Sequence, residues 1–289
     1  MNLPPTRTVA QAIRAASEEL GARTDSARLD AELLMAHALG VSRSTMFLQR
    51  MGDAVPTAFA GYVARRLGHE PVAYIRGHQE FFGLDLRVTP DVLIPRADSE
   101  TLVEAALAAR PKAKRVLDCG TGSGALLLAV LDGLPAAEGI GIDRSEAALA
   151  VAQDNAARLG LAQRTELRQS DWHQPGWADG LGTFDLILTN PPYVESAAAL
   201  SADVRDFEPA GALFAGADGL DDYRVLVPQL PALLNPNGMA LVEIGATQAE
   251  AVRAIGTAAG LESVVHQDLG ERNRVIAFTI SLGKAGSSA

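Results

Sequence analysis

Residues 116–125 read Val-Leu-Asp-Cys-Gly-Thr-Gly-Ser-Gly-Ala, and this stretch sets the architecture expected for the whole chain. Its first four residues complete an apolar run that predicts a buried strand, and Ala125–Leu131 predicts a helix directly after the glycines. Glycines let a backbone approach a ligand closely, and the N-terminus of a helix presents free N–H groups. The sequence therefore predicts a ligand-binding turn between a strand and a helix.

Strands and helices alternate from residue 114 to the end of the chain. The predicted strands are Arg115–Cys119, Gly139–Ile142, Thr165–Gln169, Phe184–Thr189, Met239–Ile244, Ser263–His266 and Val275–Ile280, and the predicted helices between them include Glu146–Leu159 and Gln248–Ala259. Such alternation is typical of a mostly parallel sheet with helices on both faces, so the fold class expected is α/β.

The first 70 residues have the pattern of helices only. Thr8 is placed to cap a helix that ends at Gly21. Asp25 or Ser26 starts a second helix, which ends at Gly40. Two more helices are predicted, at Ser42–Met51 and from Pro56 onward.

The hydrophobic period then changes. Phe81–Val88 partly alternates, Thr89–Asp91 is a turn signal, and Val92–Ile94 is a second apolar run, so a β-hairpin is predicted. A capping box at Thr101–Glu104 predicts the start of the next helix, with Asp98 as an alternative cap. The domains expected are a helical domain at 1–73, a hairpin linker at 74–97, a larger domain at 98–282 and a disordered tail at 283–289.

Composition and charge exclude several classes of protein. The 289 residues are 48% hydrophobic and 21% charged, as in ordinary globular chains. The formal net charge is −10, with +1 in residues 1–75 and −11 in the rest, which argues against a general nucleic-acid binder. One cysteine and five histidines without ligand spacing predict no metal site. Because there is no secretory signal and no apolar run of about 18 residues, we expect a cytoplasmic protein with no membrane partner.

A second signal follows the glycine turn. Asp143 ends the next predicted strand, where an acidic side chain can accept hydrogen bonds from both hydroxyls of a ribose. The two signals are ambiguous, because Gly120, Gly122 and Ala125 also satisfy the dinucleotide pattern G-x-G-x-x-G/A. A nicotinamide enzyme therefore stays a candidate, and so does a plain turn in which Asp143 only caps the following helix.

The third signal is Asn-Pro-Pro-Tyr at Asn190–Tyr193, directly after the strand Phe184–Thr189. Two prolines fix two φ angles and remove two N–H donors, which leaves the Asn190 side-chain oxygen and the Pro191 carbonyl as stiff acceptors. Such acceptors fit a planar –NH2 group, and the ring of Tyr193 favours a developing cation beside it. Transfer of a methyl group from a sulfonium to that nitrogen needs mainly positioning and electrostatic stabilisation. The alternative is a rigid turn that follows a strand.

Together these segments resemble the S-adenosylmethionine-dependent amino methyltransferases. The segments that carry the resemblance are Asp118–Gly124, Asp143, Ser170-Asp171-Trp172 and Asn190–Tyr193. More narrowly, the chain is similar to the bacterial peptide chain release factor glutamine methyltransferases (HemK/PrmC type), through Tyr74-Ile-x-Gly77, Glu80-Phe-x-Gly83, Leu93–Glu100 and Asp203–Pro209. Ala97 departs from the pattern, since the family usually has proline there.

The resemblance implies a Rossmann-like methyltransferase domain with a seven-stranded sheet, and a small N-terminal helical domain that recognises the partner. It implies that S-adenosylmethionine methylates the side-chain amide of the glutamine in the Gly-Gly-Gln motif of release factors. The roles implied are as follows: Gly120, Thr121, Gly122, Ser123 and Gly124 cradle the methionine part of the cofactor, Asp143 holds the ribose, Asp171 and Trp172 lie by the adenine, Asn190 faces both cofactor and amide, and Pro191, Pro192 and Tyr193 complete the amide site.

Rival functions stay open at this point. DNA adenine carries the same kind of –NH2 group, but phosphate binding needs Lys and Arg. The segment from Asp185 to Asp222 is acidic instead, with Asp185, Glu195, Asp203, Asp206, Glu208, Asp218, Asp221 and Asp222. Methylation of a ribosomal-protein glutamine is the same chemistry on another partner, and a binding module without activity would not need the Asn190 acceptor.

Overall fold

The computed structural model of the protein describes residues 8–281. These residues form two compact units. The helical unit is the chain up to His78 together with Leu200–Phe207, and the sheet unit is Gln79–Ala199 together with the chain from Glu208 onward. The domain boundaries expected at 73 and 97 stay predictions, and the tail expected at 283–289 lies outside the described residues.

The secondary structure of the described residues is as follows. The helices are α1 (Val9–Leu20), α2 (Ala27–Leu39), α3 (Arg43–Gln49), α4 (Ala58–Leu67), α5 (Val72–Arg76), α6 (Glu100–Ala109), α7 (Ala125–Gly133), α8 (Glu146–Arg158), α9 (Ala202–Phe207), α10 (Asp221–Leu226), α11 (Leu230–Leu233) and α12 (Ala249–Ala258). The strands are β1 (His78–Phe81), β2 (Leu84–Arg87), β3 (Arg115–Cys119), β4 (Glu138–Asp143), β5 (Thr165–Gln169), β6 (Phe184–Thr189), β7 (Leu234–Glu243), β8 (Leu261–Gln267) and β9 (Asn273–Ile280). No helix within residues 8–281 has the length and apolar character needed to cross a membrane.

In the helical unit the predicted start of α1 and the predicted end of α2 are confirmed, whereas α4 begins at Ala58 and not at Pro56. The Gln11 N–H donates to Thr8 Oγ1 at 3.4 Å, and the Thr8 N–H donates to Gln11 Oε1 at 3.0 Å, so α1 begins at a reciprocal cap. Helix α2 ends at Gly40 with a φ of 66°, a left-handed conformation that glycine adopts at little cost. The unit's core lies between α1, α2 and α4 and includes Leu20 and Leu34.

A buried ion-pair network holds α9 in the helical unit. Arg66 on α4 is only 6% exposed, and its Nε lies 2.7 Å from Asp30 Oδ2 on α2. Its Nη2 lies 3.7 Å from Asp203 Oδ2 on α9. Because a buried guanidinium has to be paired, this network fixes where the chain enters the helical unit a second time.

The sheet unit confirms the predicted fold. Its seven strands lie in the order β5-β4-β3-β6-β7-β9-β8. Strand β9 runs antiparallel to both of its neighbours, β7 and β8, and the other neighbouring pairs are parallel. Val116 and Leu186 belong to the core on one face, and Leu117 and Ile187 to the core on the other. Since β4 lies on one side of β3 and β6 on the other, a crevice opens at the carboxyl ends of these strands.

Two local predictions are wrong. The hairpin turns at Phe82-Gly83 and not at Thr89–Asp91, and Val92–Ile94 is irregular. Both turn residues have positive φ, 50° and 77°, as a tight two-residue hairpin turn requires. Helix α6 begins at Glu100, so Thr101 lies inside the helix and does not cap it, and the Glu100 Oε1 accepts the Phe82 N–H of the hairpin at 2.9 Å.

Candidate functional site

A pocket lies at the carboxyl ends of β3, β4 and β6. It encloses about 1040 Å³ of space outside the protein atoms, its open mouth included. Its lining comprises Gly120–Ser123, Asp143–Ser145, Trp172, Asn190, Pro192, Ser99 and residues of the segments Asp91–Arg96 and Pro209–Ala212. The pocket therefore brings together most of the site residues predicted from the sequence.

The glycine turn is held by backbone hydrogen bonds. The N–H groups of Gly120 and Thr121 both donate to the Ile142 carbonyl at 2.9 Å, and Gly120, Gly122 and Gly124 have positive φ of 77°, 54° and 84°. A Cβ at Gly122 would meet nothing within 4 Å, so this residue opens onto free space. Because Gly122 has no side chain and faces open space, a ligand can approach the backbone of the turn closely. Several N–H groups of the turn are already used in hydrogen bonds within the protein, and these bonds hold its shape.

Asp143 connects the turn to the next helix. Its Oδ2 accepts the Gly122 N–H at 2.9 Å, and its Oδ1 accepts the Ser145 N–H at 2.9 Å. An ionised carboxylate has about four acceptor sites, so each oxygen can still accept a hydroxyl from a ligand. The carboxylate is therefore held in a fixed orientation and keeps capacity for a ribose.

Trp172 forms the wall above the turn. A Cβ at Gly120 would lie 3.1 Å from Trp172 Cη2, so the indole packs directly on that glycine. The indole Nε1 donates to Asp222 Oδ1 at 2.9 Å, which fixes the plane of the ring. Asp171 is not among the pocket-lining residues, and its Oδ1 accepts the His173 N–H at 3.0 Å.

A buried acid lies beneath the turn. Asp118 is fully buried, and its Oδ2 accepts the Thr121 hydroxyl at 2.7 Å. Burial raises the pKa of Asp118 to about 7, although the hydrogen bond from Thr121 acts in the opposite direction. The acid thus supports the glycine turn from behind rather than from inside the pocket.

Two residues of the Asn-Pro-Pro-Tyr segment border the pocket. Asn190 and Pro192 line the pocket, while Pro191 and Tyr193 do not. The Asn190 Nδ2 donates to Ser99 Oγ at 3.4 Å, which turns the side-chain oxygen to the other side. The Tyr193 hydroxyl donates to Glu243 Oε1 at 3.4 Å, and burial raises the pKa of this phenol to about 12, so it stays neutral.

Two further segments, at Asp91–Arg96 and Pro209–Ala212, form walls of the pocket. Glu208, which is 5% exposed, accepts the Ile94 N–H at 3.3 Å and pairs with Arg96. Arg144 Nη2 donates to the Gly211 carbonyl at 2.5 Å. These bonds hold the segment that contains Arg96 and the segment that contains Gly211 in place as walls of the pocket. The motif Leu93–Arg96 carried the family resemblance, but nothing local in it indicated a pocket wall.

The acidic segment is less exposed than its sequence suggests. Asp185 accepts the Lys114 and Arg115 N–H groups at 2.8 and 3.1 Å, at the amino end of β6 and away from the pocket. Glu208 and Asp222 are buried against their partners, as described above. The charge that remains at the surface is therefore smaller than the count of acidic residues indicates.

This sheet order with a glycine turn after β3, an acid as the last residue of β4 and Asn-Pro-Pro-Tyr after β6 defines the class of Rossmann-like methyltransferases. The family described as methyltransferase domain matches residues 111–259, and the PrmC N-terminal domain matches residues 11–77. Among solved structures, a methyltransferase from Pyrococcus furiosus shares the fold, with a TM-score of 0.52, 19% identity, and coverage of 76% of this chain and 98% of that chain.

Curated relatives narrow the class. The release factor glutamine methyltransferase of Cereibacter sphaeroides is 46% identical over 274 residues, which is 92% of this chain and 96% of the relative. Those of Geobacter sulfurreducens and Caulobacter vibrioides are 43% and 41% identical, with coverage of 87% and 94% of this chain and 89% and 96% of the relatives. The chain belongs to the release factor glutamine methyltransferase family.

Proposed function

We propose that this protein transfers a methyl group from S-adenosylmethionine to the side-chain amide of the glutamine in the Gly-Gly-Gln motif of peptide chain release factors. Family membership supports the substrate. The observation that supports the chemistry is the orientation of the Asn190 side chain. Its Nδ2 donates to Ser99 Oγ at 3.4 Å, which leaves its oxygen to accept from a substrate. Asn190 lines the same pocket as the glycine turn.

The pocket residues fit S-adenosylmethionine. Gly122 opens onto free space, and the Asp143 carboxylate keeps acceptor capacity for the ribose hydroxyls. The indole of Trp172 offers a flat surface to the adenine, while Asp171 is assigned to it only by resemblance. When bound, the cofactor supplies an electrophilic methyl group on a sulfonium.

Asn190 and the prolines act on the amide nitrogen. The Asn190 oxygen, at the pocket lining, accepts one hydrogen of the –NH2 group, and the second is assigned to the Pro191 carbonyl from the sequence pattern, although Pro191 is not among the lining residues. Both acceptors return electron density to the nitrogen, which otherwise delocalises its lone pair. The rigid backbone at Pro191 and Pro192 holds the acceptors in place before the reaction, so little reorganisation is needed. The nitrogen gains the methyl group and releases one proton, which leaves an N-methyl amide and S-adenosylhomocysteine.

The partner is proposed to be a protein and not a nucleic acid. A net charge of −10 disfavours phosphate binding, although buried acids account for part of the acidic segment. Glycines on both sides of a glutamine allow its side chain to enter a recessed site without a backbone clash. A ribosomal-protein glutamine is the second candidate substrate, because the same acceptors would hold it.

One labelling experiment tests the proposal. The protein is incubated with methyl-labelled S-adenosylmethionine and, separately, an intact release factor, ribosomal proteins and duplex DNA. We expect label on the release factor only. Label on the ribosomal proteins alone would change the substrate and leave the chemistry intact. Thermal protection by NAD with none by S-adenosylhomocysteine would exclude a methyltransferase.

A further inference from the structure

The indole of Trp172 is held at two opposite edges. At one edge its Nε1 donates to Asp222 Oδ1 at 2.9 Å. At the other edge its Cη2 and Cζ3 lie 3.1 and 3.4 Å from the place that a Cβ on Gly120 would take. A ring held in this way cannot turn without breaking the hydrogen bond or clashing with the glycine turn. The orientation that Trp172 presents to the pocket is therefore fixed.

Asp222, on α10, also holds the residue next to Trp172. His173 Nε2 lies 2.9 Å from the same Oδ1, and the centroids of the Trp172 and His173 rings are 6.2 Å apart. The backbone here is ordered by Asp171, whose Oδ1 accepts the His173 N–H at 3.0 Å and whose carbonyl accepts the Gln174 N–H at 2.9 Å. Asp222 thus fixes two adjacent side chains that the turn at Asp171 brings together.

The second tryptophan of the chain provides a comparison. Trp177 lies in the same loop and packs against the same core cluster, but it does not line the pocket. Its Nε1 donates to the neutral Gln229 Oε1 at 2.6 Å, so an amide is enough to satisfy an indole N–H in this loop. Trp172 instead donates to Asp222, which is only 7% exposed, and burying a carboxylate is costly unless it is hydrogen-bonded. Because a charge-assisted hydrogen bond is about twice as strong as a neutral one, this acceptor holds Trp172 more firmly.

We propose that Asp222 is a positioning residue for S-adenosylmethionine, because it keeps the Trp172 indole ordered as the adenine wall before the cofactor binds. This inference rests on the proposed function, in which the adenine lies against this indole. Asp222 does not line the pocket, so it acts through Trp172. A side chain that is ordered in advance loses less conformational entropy on binding, and for one side chain this advantage reaches about tenfold in affinity.

Fluorescence tests whether Asp222 orders the ring. The chain has two tryptophans, so in the full-length Trp177→Phe protein all tryptophan emission comes from Trp172. Time-resolved anisotropy without cofactor should show Trp172 moving only with the protein as a whole. Adding Asp222→Ala should introduce a subnanosecond component, which saturating S-adenosylhomocysteine should remove. In the matched Trp172→Phe protein, where only Trp177 emits, Asp222→Ala should leave the anisotropy decay unchanged.

Titration calorimetry with S-adenosylhomocysteine measures the consequence for binding. Asp222→Ala should raise Kd about tenfold, and Asp222→Asn, which keeps an uncharged acceptor, should raise it at most about threefold. Adding Asp222→Ala to Trp172→Phe should raise Kd no further, because Asp222 acts through the indole N–H. Should Asp222→Ala not fold, Asp222→Leu fills the buried volume without an acceptor and replaces it in each comparison.

The outcomes separate this inference from the function on which it rests. A wild-type protein that binds S-adenosylhomocysteine but methylates no release factor would refute the proposed substrate and not the positioning role. A wild-type protein that binds no S-adenosylhomocysteine would refute the proposed function and this inference with it. With binding intact in the wild type, an unchanged Kd or an unchanged Trp172 anisotropy decay after Asp222→Ala would refute the positioning role alone. An equal loss of affinity in the Trp172→Phe background would do the same.

Discussion

Replacing Asp143 by alanine tests how the structure holds the cofactor. The change deletes the acceptor of the Gly122 and Ser145 N–H groups, each at 2.9 Å, together with the proposed ribose contacts. A hydrogen bond to a charged group contributes about 1.5–3 kcal/mol. Because Asp143 is only half-buried, we take about 1 kcal/mol for each hydrogen bond that its carboxylate accepts. We therefore expect Asp143→Ala to weaken S-adenosylmethionine binding by about 1–3 kcal/mol, or roughly 5- to 150-fold in Kd. Asp143→Asn, which keeps one acceptor oxygen, should fall between.

Asp185 provides a matched control at the opposite end of the sheet. Its Oδ2 also accepts two backbone N–H groups, at 2.8 and 3.1 Å, so Asp185→Ala should lower the free energy of unfolding by a similar amount. Titration calorimetry on folded variants should show a weaker Kd for Asp143→Ala and an unchanged Kd for Asp185→Ala. An unchanged Kd for Asp143→Ala would place the ribose elsewhere, and equal weakening in both variants would reduce the effect to lost stability.

Three further variants test separate parts of the account. Asn190→Ala should slow the chemical step by about 2.7–4 kcal/mol, by analogy with an oxyanion-hole donor, with cofactor Kd nearly unchanged; a loss under about tenfold in single-turnover rate would make Asn190 structural. Gly120→Ala should weaken cofactor binding and lower the melting temperature, because its Cβ would lie 3.1 Å from Trp172 and its φ is 77°. The control Gly160→Ala has a similar φ of 73° but open space around the Cβ, so it should show only the effect of backbone strain. Asp118→Asn should flatten the pH dependence of stability: the pKa of about 7 means that the folded state keeps a proton which the unfolded state releases, so this group's contribution falls as pH rises from about 4 to 7. Chemical unfolding at pH 5 and pH 8 measures that slope, and an equal slope in the variant would contradict the assignment.

The sequence allows the sheet to be predicted because its central strands are buried on both faces. Residues 115–119 and 184–189 are short segments rich in apolar residues, interrupted by Asp118 and Asp185, and they have the predicted bounds of β3 and β6. Helices α5, α9 and α11 have only four to six residues each, and too few turns for a periodic pattern. They form where tertiary contacts hold them, as the Arg66–Asp203 pair does for α9.

The site also contains residues that the local sequence predicts and residues that it does not. The glycine turn, Asp143 and Asn190 follow directly on strands, so local sequence was enough to bring them to one edge of the sheet. Ser99, Asp222 and Glu243 reach the site from 50 to 91 positions away in the chain, through single hydrogen bonds with Asn190, Trp172 and Tyr193. No local pattern encodes such partners, because any buried polar residue in a suitable place could provide them.

The position of the methyl group on the partner is the most direct test of the central claim. An intact release factor is incubated with the full-length protein and S-adenosylmethionine, digested, and its Gly-Gly-Gln peptide is fragmented by mass spectrometry. We predict one added methyl group on the side-chain nitrogen of that glutamine, and at most about one hundredth of that amount over the same short reaction time when the Asn190→Ala variant replaces the wild type. A methyl group on another residue would contradict the central claim. So would an unmodified glutamine, provided that a control methyltransferase fully methylates a separate sample of the same factor.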